Sequence, residues 1–182
     1  MLSEFMSKKL TSYFQLRDLD QDGFVEQGDW EGSARNLAAT RGWAPGSPEY
    51  ANVVAKHVKI WTTFWNPADL DQDGKVGLDE YLTLTDTLRK GGSFAQNVIL
   101  DLFGAIFDII DRDADGQITL PDYTLYFKAW GLSENLAEGA FSQLDLSGDG
   151  RVSRSSFIQF SSNFFMSDDP NLPGSQLFGP YE

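Results

Sequence analysis

Closely spaced carboxylates recur four times along this chain of 182 residues. Each occurrence spans twelve residues, begins with Asp, carries Asp at the fifth position and Gly at the sixth, and has Val or Ile at the eighth. The four segments are DLDQDGFVEQGD at 18–29, DLDQDGKVGLDE at 69–80, DRDADGQITLPD at 111–122 and DLSGDGRVSRSS at 145–156. Oxygen ligands at such short intervals suit a hard divalent cation, so the pattern indicates metal binding.

The spacing is that of the EF-hand calcium loop. Side chains at positions 1, 3 and 5 converge on the ion, position 7 offers its backbone carbonyl, and position 12 brings the last carboxylate from the following helix. Gly at position 6 permits the sharp bend, and the β-branched residue at position 8 suits a short strand paired with a partner loop. The predicted ligands of the first three loops are Asp18, Asp20, Asp22, Phe24 and Asp29; Asp69, Asp71, Asp73, Lys75 and Glu80; and Asp111, Asp113, Asp115, Gln117 and Asp122.

The four loops are not equivalent at position 12. Loop four ends in Ser156, and a hydroxyl cannot supply a bidentate carboxylate, so this loop is predicted to be weak or empty and to serve loop three as a structural partner. Loops one and three end in Asp29 and Asp122, which are one methylene shorter than Glu80 of loop two. The shorter reach favours the smaller octahedral shell of Mg²⁺. We therefore expect three Ca²⁺ sites, with Mg²⁺ competing at sites one and three.

Charge is concentrated in the loops. The chain has 27 acidic and 14 basic residues, a formal net charge of −13, and the four loops carry −12 of it. Three Ca²⁺ ions would halve the loop charge to −6. Such an acidic chain is not expected to bind nucleic acid or an anionic membrane surface, because it would repel phosphates.

Several classes of protein are disfavoured by what the composition lacks. There is no Cys and only one His, His57, which disfavours disulfides, thiolate zinc sites and multi-histidine metal sites. No Ser/His/Asp set, phosphate loop or acid–base pair points to an enzyme. The charged first ten residues and Leu2 predict neither a signal peptide nor myristoylation, and no apolar run reaches membrane-spanning length. A cytoplasmic monomer is expected.

Helices must precede and follow each loop, which predicts an all-α fold. Four helix–loop–helix units are expected in two pairs, packed into one compact globule with short β pairing between loops. Residues 1–90 are predicted to form the first pair, 94–166 the second, and 167–182 a tail that packs on the globule, with the boundary at Gly91-Gly92-Ser93. Apolar periodicity and breakers predict the helices near 27–40, 50–65, 78–90, 94–110, 120–130, 133–144 and 154–165.

Aromatic residues leave two interpretations of the core. The 14 Phe and 5 Trp suit an ordinary packed core, or else a cavity for an organic ligand, in which His57 would be a hydrogen-bond partner rather than a structural residue. Only three Met are present, whereas sensors of the calmodulin type open a Met-rich groove. Stiff aromatic side chains favour a core that stays closed when calcium binds.

The chain resembles the invertebrate sarcoplasmic calcium-binding proteins. The resemblance rests on four widely and unequally spaced EF-hands, the Phe-rich core and the ending NFFMSDDPNLPGSQLFGPYE. It implies two EF-hand pairs that pack face to face, a C-terminal segment that seals the globule, and three working sites. Asp29 matches the Asp that family members often have at position 12 of the first loop. The implied role is a cytosolic Ca²⁺/Mg²⁺ buffer.

Two alternatives follow from related families. Calexcitins also have an inactive fourth loop, which leaves open a calcium sensor that exposes an apolar face to a partner. The calcium-regulated photoproteins and coelenterazine-binding proteins share the architecture, and FDIIDRDADGQITL at 107–120 resembles their third EF-hand. That group usually has an inactive second loop, an active fourth loop and several cavity histidines, so luciferin binding is the less favoured alternative.

Overall fold

Eight α-helices flank the four loops in a computed structural model, which describes residues 2–179 and 181 and gives only the backbone of residues 93–96. Each loop leads into a three-residue strand. The helices within the described residues are α1 (Glu4–Arg17), α2 (Gln27–Thr40), α3 (Pro48–Ile60), α4 (Leu78–Lys90), α5 (Ser93–Ile110), α6 (Leu120–Ala129), α7 (Glu134–Leu144) and α8 (Arg154–Met166). The strands are β1 (Phe24–Glu26), β2 (Lys75–Gly77), β3 (Gln117–Thr119) and β4 (Arg151–Ser153). The predicted all-α class is confirmed.

The loops are joined in pairs through their position-eight residues. β1 is antiparallel to β2 with Val25 opposite Val76, and β3 is antiparallel to β4 with Ile118 opposite Val152. All four side chains are almost fully buried. The β-branched residues therefore pair the two strands of each sheet, as the loop pattern predicts, and their side chains pack into the hydrophobic core.

The helix before loop two departs from simple α geometry. The sequence predicts a helix that ends at Asn66-Pro67, whereas α3 ends at Ile60 and continues as a π-helical turn over Trp61–Trp65 and a 3₁₀ turn over Asn66–Ala68. The Thr62 hydroxyl donates to the carbonyls of Val58 and Lys59 at 3.0 and 3.2 Å, which competes with the regular backbone ladder. The wider turn buries both Trp61 and Trp65.

One apolar core runs through both pairs of loops. α2 packs against α3 and also against α6, while α5 packs against α8 and contacts α3 and α4. The strongly apolar α5 buries Phe103, Ile106 and Ile110. Among the described residues, no helix is long and apolar enough to cross a membrane.

A buried arginine lies at the meeting point of these helices. Arg17 is 1% exposed, no ion pair in the described part of the chain involves it, and its Nε and Nη2 atoms have no hydrogen-bond partner there. Its guanidinium carbon lies 4.5–5.6 Å from five aromatic ring centres, an arrangement in which each ring contributes about 0.5–2 kcal/mol. These rings belong to Tyr13, Trp30, Tyr126, Trp130 and Phe178.

The single histidine is a buried core residue. His57 is fully buried, and its Nδ1 lies 2.8 Å from the carbonyl oxygen of Val53, one turn earlier in α3. Since a carbonyl only accepts, Nδ1 carries the proton. Burial lowers the pKa of His57 to about 4, which keeps the imidazole neutral at physiological pH.

The C-terminal segment packs on the core without forming a helix or strand in its described residues. Leu177 and Phe178 are 0% and 4% exposed, and the Tyr123 hydroxyl donates to the carbonyl of Leu177. Gly174 has φ +90° and lies directly against the backbone of Phe160 in α8, where a Cβ would collide with that backbone. The tail therefore closes the core by buried aromatic contact and close backbone approach.

We expect Phe178→Ala to lower the free energy of unfolding by about 3 kcal/mol, because Phe178 contacts Arg17 and the rings of Tyr13 and Phe164. Urea denaturation at saturating calcium measures this. Leu146→Ala is the matched control, since Leu146 is 66% exposed, and it should change the stability by less than about 0.5 kcal/mol. A loss below about 1 kcal/mol for Phe178→Ala would show that the tail does not close the core.

Candidate metal centre

Three groups of carboxylates come together at the beginning of the first three loops. In each group, one oxygen from each of the three side chains lies within 4.8 Å of the others. Two unit negative charges at that separation repel each other by about 1 kcal/mol even in water, and a bound cation would offset this repulsion. The groups are Asp18, Asp20 and Asp22; Asp69, Asp71 and Asp73; and Asp111, Asp113 and Asp115.

Left-handed backbone at positions 4 and 6 brings these side chains together. Position 4 has φ near 60° although it is not Gly, and position 6 is Gly with φ between 82° and 93°. In loop one, the N–H of Gly23 donates to Asp18 Oδ2 at 2.9 Å, and the same bond recurs in loops two and three. The position-four residues are Gln21, Gln72 and Ala114, and the position-six residues are Gly23, Gly74 and Gly116.

The position-twelve carboxylates begin the helices that leave the loops. Asp29 accepts from the N–H of Leu19 at 3.0 Å and from that of Glu26 at 2.7 Å. In loop two, Glu80 accepts in the same way from Leu70 and Gly77, both at 2.8 Å. A carboxylate in the first helical turn also interacts favourably with the helix dipole. Each of these two residues therefore holds the start of its loop to the start of its helix.

Asp122, at position 12 of loop three, lies in the first turn of α6. It accepts from the N–H and the hydroxyl of Thr119 at 3.2 and 2.5 Å. The position-twelve carboxylate of loop three is therefore tied to the helix N-cap, as in the other two loops.

Two of the predicted ligands are buried enough for their pKa to change. Burial raises the pKa of Asp29, and the charges of Asp20 and Asp18 act in the same direction against its backbone hydrogen bonds. Burial likewise raises the pKa of Asp111, with the charges of Asp115 and Asp113 adding to it.

One atom in loop three lacks a partner that a cation would supply. Asp111 Oδ1 is buried and has no hydrogen-bond partner in the described part of the chain, although Gly116 N–H holds Oδ2 at 3.0 Å. A buried carboxylate oxygen without a partner is costly. The oxygen-only donor set and this orphaned atom fit a hard divalent cation such as Ca²⁺.

The three predicted carbonyl ligands begin the short strands. Phe24, Lys75 and Gln117 are the first residues of β1, β2 and β3, and each follows the Gly at position 6. The N–H of each donates to the position-five Asp of its own loop at 2.8–2.9 Å. Strand pairing therefore places the seventh residue of each loop beside its acidic cluster.

Loop four keeps the backbone of the other loops but satisfies its own carboxylate. Gly148 and Gly150 have φ of 71° and 80°, and β4 pairs normally with β3. The Ser147 hydroxyl donates to Asp145 Oδ1 at 3.1 Å, while Gly148 and Gly150 N–H groups bond its two oxygens at 2.8 Å. At position 12, Ser156 Oγ lies 2.9 Å from the hydroxyl of Ser153.

Two cationic side chains at the site were missed by the sequence analysis. The loop pattern gives position seven only a backbone carbonyl as ligand, yet the side chains of Lys75 and Arg151 each contact a carboxylate of the neighbouring loop. The strand register contains the signal, because pairing Val25 with Val76 sets Glu26 directly opposite Lys75.

Comparison with known proteins finds similarity to EF-hand proteins along most of the chain. The sequence profile described as EF hand matches residues 103–124 and 136–161. Calerythrin from Saccharopolyspora erythraea is 25% identical over 155 residues, which cover 84% of this chain and 88% of calerythrin. The sarcoplasmic calcium-binding protein beta chain of Penaeus sp. is 28% identical over 174 residues, which cover 90% of this chain and 89% of the relative.

Solved structures share the same fold. The calcium-loaded apo coelenterazine-binding protein from Renilla muelleri superposes with a TM-score of 0.77 at 21% identity, covering 97% of this chain and 98% of that one. The sarcoplasmic calcium-binding protein from amphioxus gives 0.71 at 18% identity and covers all of both chains. The acidic loops, their pairing and these similarities support the family that the resemblance implied, the sarcoplasmic calcium-binding proteins of the EF-hand superfamily.

Proposed function

We propose that this protein is a non-catalytic cytosolic Ca²⁺/Mg²⁺ buffer with three working sites. Loops one to three supply the ligands, and loop four supports loop three without binding an ion. The three acidic clusters and the unpartnered Asp111 Oδ1 support the first part. The internal hydrogen bonds of Asp145 and the Ser at position 156 support the second.

The closed core is the observation that carries the buffer interpretation. A sensor must expose an apolar face when calcium binds. Here the apolar faces of both pairs are buried against each other, and Leu177 and Phe178 of the tail lie in the same core. An opening of the core that moved the tail would separate Phe178 from Arg17, and the guanidinium would lose one of its five aromatic contacts. A calexcitin-like sensor is the alternative, and it would expose apolar surface when calcium binds.

A second candidate is the binding of an organic ligand, for which an apolar pocket between α1, α4, α5 and α8 is the candidate place. Its volume is about 50 Å³, well below the roughly 300 Å³ of a typical ligand pocket, so a ligand would have to widen it. Its lining is apolar apart from Tyr13, Tyr81, Thr85 and Arg89. The hydroxyls of Tyr13 and Tyr81 are buried and have no partner in the described part of the chain. Burial raises the pKa of Tyr13 to about 12, so its hydroxyl stays protonated at physiological pH.

Calcium titration with and without millimolar Mg²⁺ tests the site assignment. We expect three Ca²⁺ to bind the wild type, with Mg²⁺ weakening two of them, because Asp29 and Asp122 are the short carboxylates. Glu80→Gln should leave two Ca²⁺, both sensitive to Mg²⁺. Isothermal titration calorimetry counts the sites. Three remaining sites in Glu80→Gln, or Ca²⁺ affinities indifferent to Mg²⁺, would overturn the assignment.

Restoring the missing carboxylate tests the explanation for loop four. Ser156→Glu should add one Ca²⁺ equivalent, since Asp145, Asp149 and the loop backbone are already in place. Ser155→Glu is the matched control: it adds the same charge one residue earlier, at an exposed position, and should add no site. Equilibrium dialysis with radioactive calcium measures the stoichiometry. An unchanged count in Ser156→Glu would show that position 12 is not what inactivates the loop.

A dye that fluoresces on exposed apolar surface distinguishes buffer from sensor. During calcium titration of the apo protein in the presence of Mg²⁺, we expect a flat or falling signal, because the core stays covered by the tail. Phe178→Ala serves as the positive control for an uncovered core. A clear rise in the wild type would replace the buffer interpretation with the sensor one.

A further inference from the structure

A lysine of loop two reaches into the acidic cluster of loop one. Lys75 Nζ lies 3.1 Å from Asp22 Oδ2 and 3.7 Å from Glu26 Oε2. The same ammonium lies 5.2 Å from the ring centre of Phe24, which limits the directions it can take. Asp22 is the position-five ligand predicted for site one, so a cation of the chain already contacts that site.

The second pair of loops repeats this contact. Arg151 is at position seven of loop four, and its Nη1 lies 3.5 Å from Oδ2 of Asp115, the position-five residue of loop three. Both contacts therefore join position seven of the second loop in a pair to position five of the first. The antiparallel register explains the repetition, because β2 meets β1 and β4 meets β3 in the same alignment.

In both contacts the cation sits on the carboxylate oxygen that the backbone leaves free. Asp22 Oδ1 accepts from Phe24 N–H at 2.9 Å, and Asp115 Oδ1 accepts from Gln117 N–H at 2.8 Å. The remaining oxygen, Oδ2, is the one that faces Lys75 or Arg151. A position-five Asp that coordinates an ion through this oxygen must give up its tethered cation or share the oxygen with it.

The first loop of each pair has no charged side chain at position seven that could contact the second loop in the same way. Position seven of loops one and three is Phe24 and Gln117, neither of which is charged. No ion pair found among the described residues involves Asp73, although Lys75 N–H holds its Oδ1 at 2.8 Å. Site two is therefore the predicted site without a tethered cation.

We propose that Lys75 and Arg151 act as built-in competitors that lower the metal affinity of sites one and three, so that site two fills first. This inference rests on the proposed assignment of three metal sites. Lys75 also links two sites physically, since its backbone carbonyl is the predicted position-seven ligand of site two while its ammonium neutralises part of site one. The tethered cations hold the carboxylates of sites one and three in place in the metal-free protein and retreat when an ion arrives.

The size of the effect follows from exposure. The side chains of Lys75 and Asp22 are 37% and 36% exposed, and Arg151 and Asp115 are more open still. Ion pairs in such positions contribute less than about 1 kcal/mol and weaken with salt. Removing the Lys75 charge is therefore expected to tighten calcium binding at site one about 2- to 5-fold at low ionic strength.

The experiment compares Lys75→Gln, Lys75→Arg, Arg151→Gln and Lys128→Gln by calcium titration at about 20 mM and 500 mM salt. Lys128→Gln removes the same charge from an exposed pair with Glu134 outside the loops, and Lys75→Arg keeps the charge in place. We expect Lys75→Gln to tighten one binding step and Arg151→Gln another, both chiefly at low salt. Lys128→Gln should leave the binding steps as in the wild type, and Lys75→Arg, which keeps the charge, should tighten binding less than Lys75→Gln does.

A second readout needs no bound metal. Because Lys75 offsets repulsion in loop one, Lys75→Gln should lower the melting temperature of the calcium-free protein while increasing the rise that calcium produces. Unchanged or weaker calcium binding in Lys75→Gln, or equal tightening in Lys128→Gln, would overturn the inference. A wild type that binds no calcium in loops one and three would instead overturn the proposed function, so the two failures are distinguishable.

Discussion

The repulsion among crowded carboxylates is the constraint that the rest of the structure must withstand. Three acidic side chains within 4.8 Å of one another would separate in a flexible chain. Here left-handed turns, backbone N–H groups and the buried Val25–Val76 and Ile118–Val152 pairs hold them in place. The helices then anchor each loop at both ends, because the position-twelve carboxylate also begins the outgoing helix. The folded loops therefore hold the carboxylates close together despite their repulsion.

The core that resists this repulsion has a cation at its centre. Arg17 directly precedes Asp18, the first predicted ligand of loop one, yet its side chain turns away from the loop into five aromatic rings. Those rings come from both halves of the chain and from the tail. Separating these rings would cost the cation–π contacts of a buried charge. Arg17 therefore helps to hold the two halves and the tail together.

Loop four keeps the loop geometry although it has Ser at position 12. It keeps both left-handed positions and its pairing with loop three, and the Ser147 hydroxyl and two backbone N–H groups donate to Asp145. It also presents Arg151 to Asp115 of its partner. Each pair of loops is therefore asymmetric, with one member contributing a cation and the other receiving it, and the two pairs share this asymmetry despite their different position-twelve residues.

Local patterns in the sequence determined the fold class, the pairing of the loops and most of the helices near their observed bounds, and they carried the resemblance that the comparisons support. They succeed because EF-hand geometry is encoded within twelve consecutive residues, where spacing alone sets which oxygens can meet. Interactions between distant residues were decided only by the tertiary structure. Arg17 among rings from four segments, the tail against Tyr123 and Phe160, and the reach of Lys75 into loop one all depend on which elements pack together. Helical periodicity did not predict the π-helical turn after Ile60 either. That turn accompanies the hydrogen bond of the Thr62 hydroxyl and the burial of Trp61 and Trp65.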